Sequence, residues 1–231
     1  MGLVLGSFHR PRALISSAYP YSYLLQPVAV GPATNPSKSR RRVTAAAAAA
    51  AARMGDERVK AEALQILGLF QVLPRLVVFD LDYTLWPFYC ECRSKRESPS
   101  LFRHAKGIMC ALKEKGVDMA IASRSPTPDI ARVFIDKLDL QPMFVAQEIF
   151  SSWTHKTEHF QKIQRKTGVP YKSMLFFDDE DRNIETISKM GVTCVLVDNG
   201  VNLDMFKLGL SNFATTATTV ADAAAAAPQD K

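Results

Sequence analysis

Acidic residues are missing from the first 53 positions of this 231-residue chain. Seven Lys and Arg fall in the same stretch, giving it a local charge of +7. Because the whole chain carries +6, the remainder from Met54 to Lys231 nets −1. The body therefore has no broad basic face, and no nucleic-acid partner is expected. Cysteine is scarce: Cys90, Cys92, Cys110 and Cys194 form no C-x-x-C pair and fall short of a disulfide scaffold. Reduced thiols are the expectation, with Cys90 and Cys92 close to the acids described below. No apolar run approaches the roughly 20 residues of a membrane-spanning helix, so no membrane partner is expected either. The chain has no internal repeat and no His/Cys cluster of the kind zinc prefers. His155 and His159 stand i, i+4, but Lys156 sits where a zinc-protease H-E-x-x-H carries its Glu. They read as surface or supporting groups.

The acid-free stretch Met1 to Arg53 contains Arg, Ser and Pro, the composition of an organellar transit peptide. Its Ser and Pro content leans to the plastid over the mitochondrion. Translation from Met54 would instead leave a cytoplasmic protein. Arg10, Pro11 and Arg12 interrupt any secretory apolar core, and Gly6 stands where myristoylation needs Ser or Thr. Three segments are expected: a leader over 1–53, one α/β domain over 54–212, and a low-complexity, disordered tail over 213–231.

Within the domain, apolar spacing predicts a helix over 56–72, ended by Pro74. Leu76 to Phe79 is an uninterrupted apolar run that reads as a buried parallel strand. Further strands are predicted over 117–122, 143–146, 174–177 and 192–197. Helices are predicted between them over 101–115, 129–138, 155–167 and 183–190. Such alternation specifies a doubly wound parallel sheet of Rossmann-like α/β class.

Chemistry-bearing residues recur where these strands end or helices begin. Asp80, Asp82 and Thr84 follow the first strand, Ser123 and Arg124 the second, and Asp178 and Asp179 the fourth. Lys156 opens a helix. Strand carboxyl ends lie on one edge of a parallel sheet, so clusters far apart in sequence converge there. Acids at i and i+2 of an extended segment face one small volume, and burying them together requires a cation or a shared proton. Several carboxylates, a hydroxyl and an amine suit phosphoryl chemistry with a hard divalent cation, magnesium above others. Trp86, Phe88 and Tyr89 read as core or loop packing close to this edge, with a substrate platform as the alternative.

The ordered set DLDYT, Ser123, Lys156 and Asp178-Asp179 resembles the four motifs of haloacid dehalogenase (HAD) superfamily phosphohydrolases. The surrounding FDLDYTLWPF, ASRS, WTHKTEHF and FFDDEDRN look like the magnesium-dependent phosphatase branch. The resemblance spans about Leu76 to Val197. It implies that Asp80 attacks phosphorus and becomes an aspartyl-phosphate, while Asp82 protonates the leaving oxygen and then activates water. Ser123 and Arg124 would hold the phosphoryl oxygens, and Lys156 would neutralise them along with Asp80. Asp80, Asp178 and the main-chain carbonyl of Asp82 would bind magnesium, with Asp179 and Thr84 in support. Only 83–100 and 147–154 occupy the places where such hydrolases insert a cap, so a capless, open site is expected. Phosphotyrosine, other phosphoproteins and phosphorylated sugar adducts such as fructosamine 6-phosphate are the implied substrates. A HAD-fold binding or scaffold module without turnover is the alternative. Receiver domains use similar groups, but in a different order along the chain.

Overall fold

The computed structural model describes the backbone over residues 38–225 and side chains over 46–218. The chain divides into two units, Met1–Arg42 and Val43–Lys231. Of the first, only the opening residues of helix α1 are described, so most of the expected leader lies outside the described residues.

The second unit is built on five parallel strands: β1 (Leu76–Phe79), β2 (Asp118–Ser123), β3 (Ala146–Ile149), β4 (Met174–Asp178) and β5 (Thr193–Leu196). Their order in the sheet is β3-β2-β1-β4-β5, which puts β1 at the centre. Alternate residues of β1 feed two cores. Val77 and Phe79 pack with α1 (Lys38–Leu67), α2 (Ala105–Glu114), α3 (Pro128–Lys137) and α6 (Leu203–Ala225). Leu76 and Val78 face α4 (Thr157–Thr167) and α5 (Asp181–Ser188) through Phe160, Ile163 and Ile187. Burial on both faces explains why β1 reads as a run of apolar residues with no polar alternation. Each such side chain contributes about 1.5–3 kcal/mol of burial energy. Among the described residues, no helix is long and apolar enough to cross a membrane.

Three expectations need correction. Helix α1 begins at Lys38, far upstream of Asp56, because the alanine run is the best helix-forming sequence available. It stops at Leu67, short of Val72, since Gly68 weakens the helix there. The third strand is Ala146–Ile149, not 143–146, and Gln141–Met143 forms a 3-10 turn. As an edge strand paired only with β2, it tolerates Gln147 and Glu148, so its apolar signal is weak. The expected disordered tail from Phe213 continues α6 through Ala225. Phe206, Leu210 and Phe213 bury one face of that helix. Asn202 caps it, its Oδ1 accepting the amides of Asp204 and Met205 at 3.1 and 3.0 Å. Gly209 lets the helix approach β4, where an added Cβ would stand 3.0 Å from the Phe177 ring.

Candidate active site

Strand register sets the first two acids. Phe79 pairs with Phe177, and the Asp80 amide donates to the Phe177 carbonyl at 3.0 Å, so Asp80 and Asp178 leave adjacent strands side by side. Ser123 ends β2 on the other flank of β1. All three are buried.

Lys156 arrives from the loop between β3 and α4. It and His155 both adopt left-handed backbone conformations, with φ of 70° and 43°. Non-glycine residues there cost about 1–3 kcal/mol each, and such strain persists only where surrounding structure enforces it. Enforcement is visible here: the Lys156 ammonium is almost wholly buried and donates to Asp80 Oδ1 at 2.5 Å and to Asp178 Oδ2. Burial alone would lower its pKa, but Asp178 and Asp80 outweigh that and raise it, keeping the ammonium charged. Burial pushes the Asp80 carboxyl well up, with Lys156 opposing the rise and Asp178 adding to it. Asp179 is pushed up to about 6 by burial and by the Asp178 charge.

Asp178 is held from its other side. Its Oδ1 accepts the Glu180 amide at 2.8 Å and Asn183 Nδ2 at 3.0 Å. Arg124 reaches across to the start of α5, its Nη1 donating to Glu180 at 3.2 Å and Asn183 at 3.3 Å. Asp82 is fixed at both oxygens, by the Trp86 indole at 2.7 Å and the Cys90 amide at 3.1 Å. Asp80, Asp82, Ser123, Arg124, Lys156 and Asp179 all line one pocket of about 190 Å³. Asp178 does not line the pocket; fully buried, it meets the site through its bond to Lys156. Thr84 does not line it: the side chain is buried in the turn after Asp82, with a hydroxyl that has no partner.

One supporting residue escaped the sequence reading, and a second, His159, was expected as a surface or supporting group. Asn183 was expected only as the start of a helix, yet it joins Asp178, Glu180 and Arg124. A buried Asn in the first turn after an acidic strand end is the signal that could have flagged it. His159 is the supporting group and not the surface one: it is fully buried, and its Nε2 lies 2.9 Å from the Ser123 carbonyl and 3.0 Å from the Phe150 carbonyl. Two carbonyl partners require a protonated Nε2. Burial pushes this imidazole down to about 4. Trp86 and Phe88 are core, as read, whereas Tyr89 lines the pocket and its ring meets Tyr83 at 4.6 Å. All four cysteines are free.

This pocket gathers more carboxylates than cations, and burial, with neighbouring carboxylates adding to it, raises both Asp80 and Asp179. Its donors are hard oxygens, which suits a divalent cation. Among the described residues, no three His, Cys, Asp or Glu side chains converge as a closed metal cage. Magnesium does not need one, since it is held by one or two carboxylates, waters and substrate phosphate.

Residues 72–216 match the model of the acid phosphatase family. The chain belongs to the acid phosphatase family. This family member is 39% identical over 161 residues to Magnesium-dependent phosphatase 1 of Homo sapiens, covering 63% of this chain and 90% of that protein. It is 29% identical over 159 residues to a HAD-like hydrolase superfamily protein of Schizosaccharomyces pombe, covering 58% of this chain and 92% of that one. Its fold is similar to a solved structure from Mesorhizobium loti described as a HAD-like phosphatase, with a TM-score of 0.51 and 11% identity over 62% of this chain and 87% of that one.

Proposed function

We propose that the protein is a magnesium-dependent phosphatase that hydrolyses phosphate monoesters through an aspartyl-phosphate on Asp80. The observation that carries this reading is the Lys156 ammonium held between Asp80 and Asp178, in the pocket that Asp82 and Ser123 also line. Lys156 occupies Asp80 Oδ1 and leaves Oδ2 as the attacking oxygen. Ser123 and Arg124 orient the phosphoryl oxygens. The Asp80 Oδ2–P bond forms as the ester O–P bond breaks, and Asp82 gives its proton to the departing oxygen. Asp82, then a carboxylate, takes a proton from the water that attacks phosphorus and frees Asp80. Asp80, Asp178 and the Asp82 carbonyl would hold magnesium, with Asp179 in support, and the ion would offset charge between carboxylate and phosphate.

The pocket is smaller than most ligand sites and holds little beyond the phosphoryl group. That favours esters whose bulk stays outside, such as phosphotyrosine in a protein or a phosphorylated sugar adduct, on a capless site. The leader composition favours the plastid as its compartment.

Steady-state hydrolysis of p-nitrophenyl phosphate, with and without magnesium, by wild type and Asp80→Asn tests the reading. Magnesium-dependent turnover that the variant loses is expected. Equal turnover by the variant, or turnover indifferent to magnesium, would overturn it. No turnover of any phosphate ester would leave the scaffold alternative standing.

A further inference from the structure

The turn after Asp82 is tight enough that the amides of Thr84, Leu85 and Trp86 all donate to one carbonyl, that of Leu81, at 3.2, 2.9 and 3.2 Å. Tyr83 adopts a φ of 54° within it. Residue i+4 is thereby folded back over residue i, and the main chains of Asp82 and Trp86 form an isolated bridge. The Trp86 Nε1–H then donates to Asp82 Oδ1 at 2.7 Å. The second oxygen accepts the amide of Cys90, the first residue of the 3-10 turn Cys90–Cys92, at 3.1 Å.

The indole is itself immobile. Trp86 is fully buried, stacked on Phe88 with ring centroids 5.5 Å apart and set edge-on to Phe134 at 6.1 Å. Its one polar atom is directed at Asp82. A half-buried Asp side chain lining a pocket otherwise rotates about two bonds, and a proton donor that rotates spends little time aimed at the reacting oxygen. A donor on each oxygen removes that freedom. It also leaves a lone-pair position open, since each carboxyl oxygen has two, so the acid can still carry a proton.

We infer that Trp86, together with the Cys90 amide, is a positioning residue that fixes the Asp82 carboxyl so that its proton faces the leaving oxygen. This rests on the reading of Asp82 as the general acid. As the ester O–P bond breaks and the Asp80–P bond forms, the proton passes from Asp82 to the departing oxygen. The demand for that proton grows with the basicity of the leaving group. A well-packed indole with no part in the chemistry would affect good and poor leaving groups alike.

The test is kcat/KM for a series of substituted aryl phosphates with magnesium, using the full chain as wild type, Trp86→Phe and Asp82→Asn. The ratio of two substrates is independent of how much enzyme is folded. Trp86→Phe is expected to lose about tenfold more on phenyl phosphate than on 2,4-dinitrophenyl phosphate, part of what a general acid contributes. Replacing the Trp86 indole with its benzothiophene isostere keeps the shape and deletes the N–H. The same substrate-dependent loss is expected, and this variant decides the matter if Trp86→Phe does not fold. Equal losses on all substrates, or an isostere that behaves as wild type, would overturn the positioning role. If Asp82→Asn is also indifferent to the leaving group, the general-acid reading falls and takes this inference with it. If Asp82→Asn is sensitive and the Trp86 variants are not, only the inference falls.

Discussion

Lys156 Nζ stands 2.5 Å from Asp80 Oδ1 and donates to Asp178 as well, joining the ends of the central strand β1 and its neighbour β4. Neither carboxylate is more than slightly exposed, so the ammonium is a structural counter-charge as well as a candidate catalytic one.

Lys156→Met should therefore abolish turnover and also destabilise the fold. Removing one partner of a buried ion pair leaves uncompensated charge and costs about 3–5 kcal/mol. Urea denaturation measures the loss. Without the ammonium, the Asp80 carboxyl, already pushed up by burial, loses the charge that opposes the rise, and stability should recover as pH falls and this group protonates.

His159 gives the opposite pH dependence. Its folded pKa, pushed down to about 4 by burial, lies below the unfolded value of 6.5. Between those values the unfolded chain binds the extra proton, so stability falls as pH drops from about 6.5 to about 4. The contribution is about 3 kcal/mol at most. Comparing melting temperatures of wild type and His159→Gln across this window should show the variant as the less pH-sensitive of the two.

Asn183→Ala should weaken magnesium activation and not only lower maximal rate. Asn183 Nδ2 reaches both oxygens of Asp178, at 3.0 and 3.2 Å. Partners that orient a ligating carboxylate typically account for 10–100-fold in metal affinity or activity. A magnesium titration of p-nitrophenyl phosphate hydrolysis reads the shift in half-activation.

Phe213→Ala distinguishes the helical from the tail-like reading of the C-terminal segment. Phe213 is buried against the core from α6, so its truncation should cost about 3–5 kcal/mol. In a disordered tail the same change would leave the melting temperature where it was.

The central frame was legible because it is the most constrained part of the chain. Buried on both faces, β1 and β4 must be apolar runs, and acids following directly on such runs stand out. The site residues were legible for the same reason: Asp80 lies one position beyond β1 and Asp178 ends β4, two strands whose register the sheet fixes. What was hard to read lies at edges. β3 pairs on one side only and carries Gln147 and Glu148, so the apolar stretch just before it drew the boundary three residues early. α6 was masked by its composition, although Asn202 followed by apolar positions 203, 206, 210 and 213 is a helix pattern. Asn183, His159 and Trp86 carry an amide, an imidazole and an indole whose partners are distant in sequence or lie across a tight turn. No local spacing announces a hydrogen bond from His159 to the end of β2.

The most direct test of the account traps the phosphorylated enzyme. Wild-type protein turning over a phosphate ester with magnesium is acid-quenched, reduced with borohydride and digested, and the peptides are analysed by mass spectrometry. The account predicts that Asp80, and no other residue, is converted to homoserine, the product of reducing an acyl phosphate. Modification at Asp82, Asp178 or Ser123 instead, or burst-free turnover with no modified residue at any quench time, would contradict it.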